Sequence, residues 1–535
     1  MRIELIIGGV VSLGLLVAVA ACGGTESDAT DGAGEADAGS SGTSGSSGTS
    51  GSSGDGDDDD DDDDVPGSSS GAPTLKSDAL VQGNVVLAGI AGADVIYLEL
   101  AQAGVSLNAV PLAGGAPTKI ADLGAEDEYL VNGGALALWT NVDGNVGTLN
   151  VWTRATGLKE DVASSSIVRG LFRASADGAR IAFTQDVTTT PQGAPTSAPV
   201  GVRDTAASTN AVTLTGTTPI AGNAMNLAAS ACAPRMSFSG KVFFATFCTG
   251  TDASATSAKL VTVANASPAT VLRLDAASGA PAIKPIYVTD AAGTKVFTIV
   301  SANSAGMLIN VTSPVTRATF EDDVADGTML ADGSGVVFRT TGNALKKAST
   351  ASPPVVSTVL GADVKGLIRL SPDGKSLIFN KLDRQQGNPL IDINAVDHTA
   401  AVPTAVSIVP TASGVPLGFS GSSAFVFFLG DVGQSGAKLK SMPAAGGPTR
   451  VLADAVGALA VGSGTGAVFA ANPKQVGQAP SQFTVLELGH VDGATGEVSK
   501  IADGIPEGEF AAKDKRLVYS RIAQQGSGLF AVTLP

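Results

Sequence analysis

The sequence predicts an all-β body built from repeated four-stranded antiparallel units. Three observations predict it. Gly, Ala, Val, Thr and Ser dominate while aromatic residues make up only 4%, a composition that suits short strands joined by many turns better than a helical bundle. A turn rich in Asp, Gly and Ser, followed by a short apolar run that ends in an aromatic, keeps returning past Leu75. The aromatic positions that close these runs fall about 41 to 61 residues apart, close to the period of one propeller blade.

The clearest copy of the turn runs from Ser371 through Pro372, Asp373, Gly374 and Lys375 to Phe379. Others run from Ser175 to Phe183, from Asp332 to Phe338 and from Asp290 to Phe297, and weaker ones lead into Phe244, Phe427, Phe469, Tyr519, Tyr97 and Trp139. Ser371 at the first corner, Pro372 with its fixed φ at the second, Asp373 at the third and Gly374 at the fourth suit a type I turn that continues into a glycine bulge. The apolar run behind the turn has no polar alternation. That pattern belongs to an inner strand buried on both faces between neighbouring sheets.

A second element, strand then Gly-Gly turn then strand, recurs as Leu107 to Ile120 and again as Leu439 to Val451. Together the two elements make a four-stranded blade, and the fold expected is a β-propeller of about eight to ten modules, in one large ring or two smaller ones. The last module, ending at Leu529 to Leu534, has only three recognisable strands. Its missing outer strand is expected from the segment Leu75 to Val81, which would close the ring by pairing the two ends. The Ser-Pro-Asp-Gly-Lys copy resembles the blade signature of the TolB-like and WD40-like β-propeller repeats of bacterial envelope proteins, over the chain from about residue 75 to the end. The resemblance implies a protein-binding or ligand-binding platform and transfers no catalytic residue. The Trp-Asp dipeptide of true WD40 repeats is missing from the sequence.

Ahead of the body, residues 1–21 read as a lipoprotein signal peptide. Arg2 precedes an apolar run from Leu5 to Ala21, and Val19-Ala20-Ala21-Cys22 resembles the bacterial lipobox, in which the cysteine thiol takes a diacylglyceryl group and becomes the new N-terminus. Lipid attachment is therefore expected at Cys22, anchoring the protein to a membrane of the cell envelope. Residues 22–74 form a Gly/Ser/Asp-rich linker with almost no apolar surface to bury, so it is expected to be disordered and to span on the order of 40 Å. The formal net charge of −17 is concentrated here: the linker holds about 14 acidic residues, including the run Asp57 to Asp64, and no Lys or Arg. Residues 75–535, the body, carry only about −3, with no clustered basic surface, which argues against a nucleic-acid partner.

Few residues point to chemistry. His398 and His490 are the only histidines, and neither has a second ligand-type residue at metal spacing. The one Gly-x-Ser-x-Gly match, Gly67 to Gly71, lies in the linker, where no strand and helix can make it a nucleophile elbow. Asp322, Asp326 and Gly327 approach a calcium loop, but Val324 occupies a ligand position. No catalytic residue, cofactor or metal is assigned. Trp139 and Trp152 flank a hairpin whose turn includes Asp143-Gly144, where they would face each other as a packing pair or a sugar-stacking site. Cys232 and Cys248 are expected to form a disulfide, because a hairpin turning symmetrically about Gly240 sets them directly opposite each other.

The expected function is a lipid-anchored envelope propeller that binds or scaffolds a protein or ligand through one face. The segments Val187 to Val200, Gly250 to Ser257, Arg384 to Asn388 and Lys474 to Gln482 each follow a second strand and should gather on the face opposite the Asp-Gly turns. The alternatives are a hydrolase or lyase acting on envelope polysaccharide through loop carboxylates, and a purely structural surface protein.

Overall fold

The computed structural model describes residues 74–534, except 169, 190, 192–194, 198, 211, 215–234, 249–257, 264–270, 274–282, 312–314, 331, 382–392, 410–414, 420–422, 434–435, 462–465, 478–482, 493–494, 496, 514 and 523–526. Ten four-stranded antiparallel blades form one ring, so the two-ring alternative does not hold. In chain order they span 85–123, 128–167, 172–214, 235–273, 283–319, 324–360, 366–409, 415–456, 456–506 and 510–533, numbered here as blades 1 to 10. Blades 8 and 9 share one continuous strand, Arg450–Val461. Its first half is the outer strand of blade 8 and its second half the inner strand of blade 9, with a bulge where Val456 gives way to Ala458.

The ring closes as expected. Ser77–Gln82 pairs antiparallel with Gly528–Thr533 and supplies the fourth strand of blade 10. Leu75 continues this seam by donating its N–H to the Lys500 carbonyl of blade 9 at 2.9 Å, and its side chain packs into the core between blades 9 and 10.

The second strand of each blade explains why the apolar runs show no alternation. Val95 and Tyr97 pack back against blade 10 while Ile96 packs forward against blade 2. Ile181 and Phe183 face blade 2 while Ala182 faces blade 4. Leu377 and Phe379 face blade 6 while Ile378 faces blade 8. A strand sandwiched between two sheets must be apolar on both faces, and every seam of the ring holds its own core.

The first strands lie innermost and present a free edge to the central axis, where unpaired backbone groups invite wrong pairing. Two devices blunt these edges. Blades 1, 6, 7, 8 and 9 each carry one extra residue in the first strand, at positions 88, 325, 368, 417 and 457, and bulges of this kind twist an edge away. Arg173 on the first strand of blade 3 donates from Nε to the Met236 carbonyl on the first strand of blade 4 at 3.2 Å, which occupies an edge acceptor of its neighbour.

Candidate functional site

The antiparallel order gives the ring two unlike faces. First-to-second and third-to-fourth connections emerge on one, called here the turn face; second-to-third connections and the links between blades emerge on the other, the loop face.

The repeated Asp-Gly turns of the turn face are committed to structure. In blade 7, Gly374 N–H donates to the Ser371 carbonyl at 2.8 Å, Ser371 Oγ donates to Asp373 Oδ1 at 2.6 Å, and Lys375 N–H donates to the same oxygen at 3.1 Å. Ser175, Asp177 and Ala179 repeat the arrangement in blade 3 at 2.6 and 3.0 Å. Gly374 and Gly178 adopt φ of 70° and 69°, the left-handed conformation that glycine enters without a Cβ penalty. Burial pushes the carboxyls of Asp177 and Asp373 up, but these hydrogen bonds outweigh it and leave both below the usual carboxylate value. They are turn caps held ionised, unsuited to carrying a proton for general acid work.

Neighbouring turns are stitched together around this face. Gly92 N–H donates to the Gly133 carbonyl at 3.0 Å, and Gly134 N–H donates to the Ser175 carbonyl at 2.8 Å. Buried Arg180 donates from Nη1 to the Lys241 carbonyl at 2.5 Å, Lys295 Nζ donates to the Gly333 carbonyl at 2.8 Å, and Asp373 N–H donates to Ser423 Oγ at 3.2 Å. His398 belongs to the same framework, with Nε2 2.7 Å from the Gly374 carbonyl. Burial holds its imidazole below the ordinary histidine value, so it is neutral at pH 7 and donates from Nε2.

The loop face carries the length variation. All four long segments join a second strand to a third: Arg180–Thr184 to Val200–Asp204 in blade 3, Val242–Cys248 to Ala258–Val263 in blade 4, Ser376–Asn380 to Ile393–Asp397 in blade 7, and Gly466–Val476 to Phe483–Asp492 in blade 9. Their flanking strands therefore end on one face. In blade 3 the connection includes a small extra hairpin, Thr188–Thr189 with Pro195–Ser197. In blade 9 it begins as a ladder extension in which Lys474, Gln475 and Val476 pair with Val485, Thr484 and Phe483, pinned by Lys474 Nζ to Glu487 Oε1 at 2.7 Å.

The remaining singled-out residues are dispersed. His490 lies buried in the third strand of blade 9, opposite Val468 and Ser499. Asp322 accepts from Asn303 Nδ2 at 2.7 Å, and Asp326 is paired with Arg339 at 2.8 Å. Burial lifts the carboxyls of Asp326 and Glu509, but these residues stand on blades 6 and 10, so the pair of facing carboxyls that a glycosidase-type reaction needs is not assembled from them.

Trp139 and Trp152 do not face each other, which corrects the expected pair. The ladder sets Trp139 opposite Leu149 and Trp152 opposite Leu136, an odd offset that sends them to opposite faces of blade 2. Trp139 is fully buried against Phe172 of blade 3, edge to face at 6.4 Å, and Trp152 is buried against blade 1. Neither ring is open to a sugar.

The hairpin before Cys248 turns over Gly240 and Lys241, with Ser239 opposite Val242, and not symmetrically about Gly240. Cys248 closes the strand Val242–Cys248, while Cys232, Cys22 and Gly67 to Gly71 lie outside the described residues. The sequence reading missed Asp94, Arg154 and Arg516, which line one cleft. They come from three blades and share no local motif.

No protein-family model matches the chain, and no curated protein matches it. Similar solved structures include a eukaryotic initiation factor at 14% identity, covering 71% of this chain and 90% of that one with a TM-score of 0.39. They also include a putative TolB from Agrobacterium tumefaciens at 12%, covering 46% and 89% with a TM-score of 0.24. A third is the β-propeller domain of the trilobed protease from Pyrococcus furiosus at 11%, covering 56% and 93% with a TM-score of 0.31. At these identities and scores the likeness carries no functional reading, and the fold stands on the strand order and inter-blade cores of the chain itself.

Proposed function

We propose that this chain is a lipid-anchored propeller of the bacterial cell envelope that holds a protein or ligand partner on its loop face. The observation that carries the reading is the division of labour between the faces: the four long connections leave strands that end on one side, while the other side is spent on short turns bonded to one another. Variable loops on a rigid frame are where binding is normally placed. The position of the N-terminal strand supports the same orientation. Ser77 pairs with Val532 and Gln82 with Gly528, so the chain enters blade 10 at the turn face, and a tether anchored through Cys22 leaves the loop face pointing away from its root.

Two measurements test this. Metabolic labelling with a radioactive fatty acid is expected to mark the chain and to fail in Cys22→Ser. A photo-reactive residue placed in cells at loop-face positions Thr189 or Val476 is expected to capture one discrete partner, whereas the same residue at the exposed turn-face positions Val355 or Val402 is expected to capture none. Equal capture from both faces, or none from the loop face, overturns the reading.

A further inference from the structure

A cleft of about 340 Å³ opens on the turn face at the seam where the ring closes. Three blades wall it. Blade 10 supplies Arg516, blade 2 supplies Arg154, and blade 1 supplies Asp94 with the apolar run Pro111, Leu112 and Ala113. Two backbone bonds fix that run: Leu112 N–H donates to the Ala93 carbonyl and Gly114 N–H to the Pro111 carbonyl, both at 2.8 Å.

The two arginines are not equivalent. Asp94 is 2% exposed, and Arg154 donates to its Oδ1 from Nε at 2.5 Å and from Nη2 as well. That pair neutralises one guanidinium and locks its position. Arg516 heads the second strand of blade 10 opposite Thr533, and its guanidinium makes no hydrogen bond or ion pair among the described residues. The cleft therefore holds one uncompensated cation, flanked by an apolar run and by an ion pair that is already neutralised. A guanidinium fork matches a carboxylate with two parallel N–H donors, and Pro111 and Leu112 reward an apolar group carried beside it. The volume lies at the small end of ligand sites, which limits the occupant to a compact body.

We propose that this cleft binds a carboxylate attached to a compact apolar group, either a free small acid or the C-terminal residue of a peptide. Arg516 receives the carboxylate, the Pro111 to Ala113 run receives the apolar group, and the Asp94–Arg154 pair forms the fixed far wall. Because the site exists only where blades 10 and 1 meet, the ligand binds the closed ring and not the opened one, so binding stabilises closure. This site is separate from the loop-face partner proposed above.

The test uses the full chain in detergent, with N-acetyl-leucine as probe and N-acetyl-leucinamide as its uncharged counterpart. Calorimetric titration and thermal unfolding are expected to show saturable binding and a rising midpoint for the acid, and neither for the amide. Arg516→Gln is expected to weaken binding by about tenfold or more, and Arg516→Lys, which keeps the charge without the fork, by less. If Arg516→Gln fails to fold by circular dichroism, Arg516→Lys decides alone. A tripeptide ending in leucine that binds more tightly than N-acetyl-leucine assigns the site to peptide termini; equal or weaker binding assigns it to free acids. Absence of saturable binding, equal binding of acid and amide, or unchanged affinity in the folded variants overturns the proposal.

Discussion

Tyr519 donates its phenolic hydrogen to Ser77 Oγ at 2.8 Å, joining residues 442 positions apart. The bond lies inside the blade that completes the ring, where Tyr519 is also stacked on Phe530 at 5.7 Å. Tyr519→Phe keeps the stack and removes the bond, so a loss of about 1 kcal/mol is expected, read as a lower urea midpoint with an unchanged slope. Deleting residues 1–83 removes the whole fourth strand and leaves Gly528–Thr533 as a long unpaired edge. That variant is expected to lose its cooperative transition and to associate in size-exclusion chromatography. A monomer that unfolds at the parental midpoint would show that the ring does not depend on its N-terminal strand.

Two turn-face glycines, Gly134 at the seam between blades 2 and 3 and Gly374 in blade 7, allow a sharper contrast. A Cβ on Gly134 would lie 2.1 Å from Gly178 N and 2.4 Å from the Asp177 carbonyl carbon, and backbone atoms cannot step aside as the end of a side chain can. Gly374 has a φ of 70° but nothing within 4 Å of an added Cβ. Gly134→Ala is therefore expected to cost about 2–4 kcal/mol through displaced backbone. Gly374→Ala is expected to cost about 1–2 kcal/mol from the left-handed backbone alone. Urea unfolding of the two variants side by side checks the order, and equal losses would contradict the close approach of the turns.

Glu509 gives a pH dependence with a definite sign. Burial lifts its carboxyl above the ordinary Glu value, against the pull of hydrogen bonds from the Ser520 hydroxyl and the Leu87 N–H. Tyr129, from blade 2, is likewise raised, by burial first and by the Glu509 charge second. Below the ordinary value of 4.5 both folded and unfolded chains hold the proton. As pH rises past it, the unfolded chain releases its proton first, so stability falls until the folded carboxyl ionises too. Glu509→Gln stays neutral throughout and is expected to fall less as the pH rises past 4.5. Parallel pH profiles for variant and parent would rule the effect out.

What could be read from the sequence was whatever the chain states locally. The Ser371 to Gly374 turn declared itself because each corner demands a particular residue, and the seamless apolar runs declared burial on both faces. The closing strand followed from a last module with one strand too few. Register was not legible in the same way. Trp139 and Trp152 were expected to pair from their distance to a shared turn, but the ladder shifts between Thr140 and Asp143, and a one-residue slip exchanges the two faces of a strand. The Arg516 cleft was invisible for a different reason: its residues come from the last, first and second blades, and only ring closure brings them together.

The same sensitivity to register governs the expected Cys232–Cys248 disulfide. The described ladder of blade 4 pairs Arg235 with Thr246 and Ser239 with Val242. Continued unbroken, it would set position 233 opposite Cys248 and turn Cys232 to the other face, forbidding the bond. Five other first strands do not continue unbroken. Their extra residues at 88, 325, 368, 417 and 457 each step the register by one on the side away from the turn. The same step at Pro234, which has no N–H to lose from a ladder and is tolerated at bulges, would bring Cys232 opposite Cys248 within disulfide reach. In an oxidising compartment the bond is then expected, with a gain of about 3 kcal/mol from a loop of this size. Cys232→Ser, Cys248→Ser and the double variant should lower the urea midpoint equally, and reductant should lower the parent to the same value. Mass spectrometry after alkylation without reductant decides the matter: recovery of both thiols in alkylated form would rule the disulfide out.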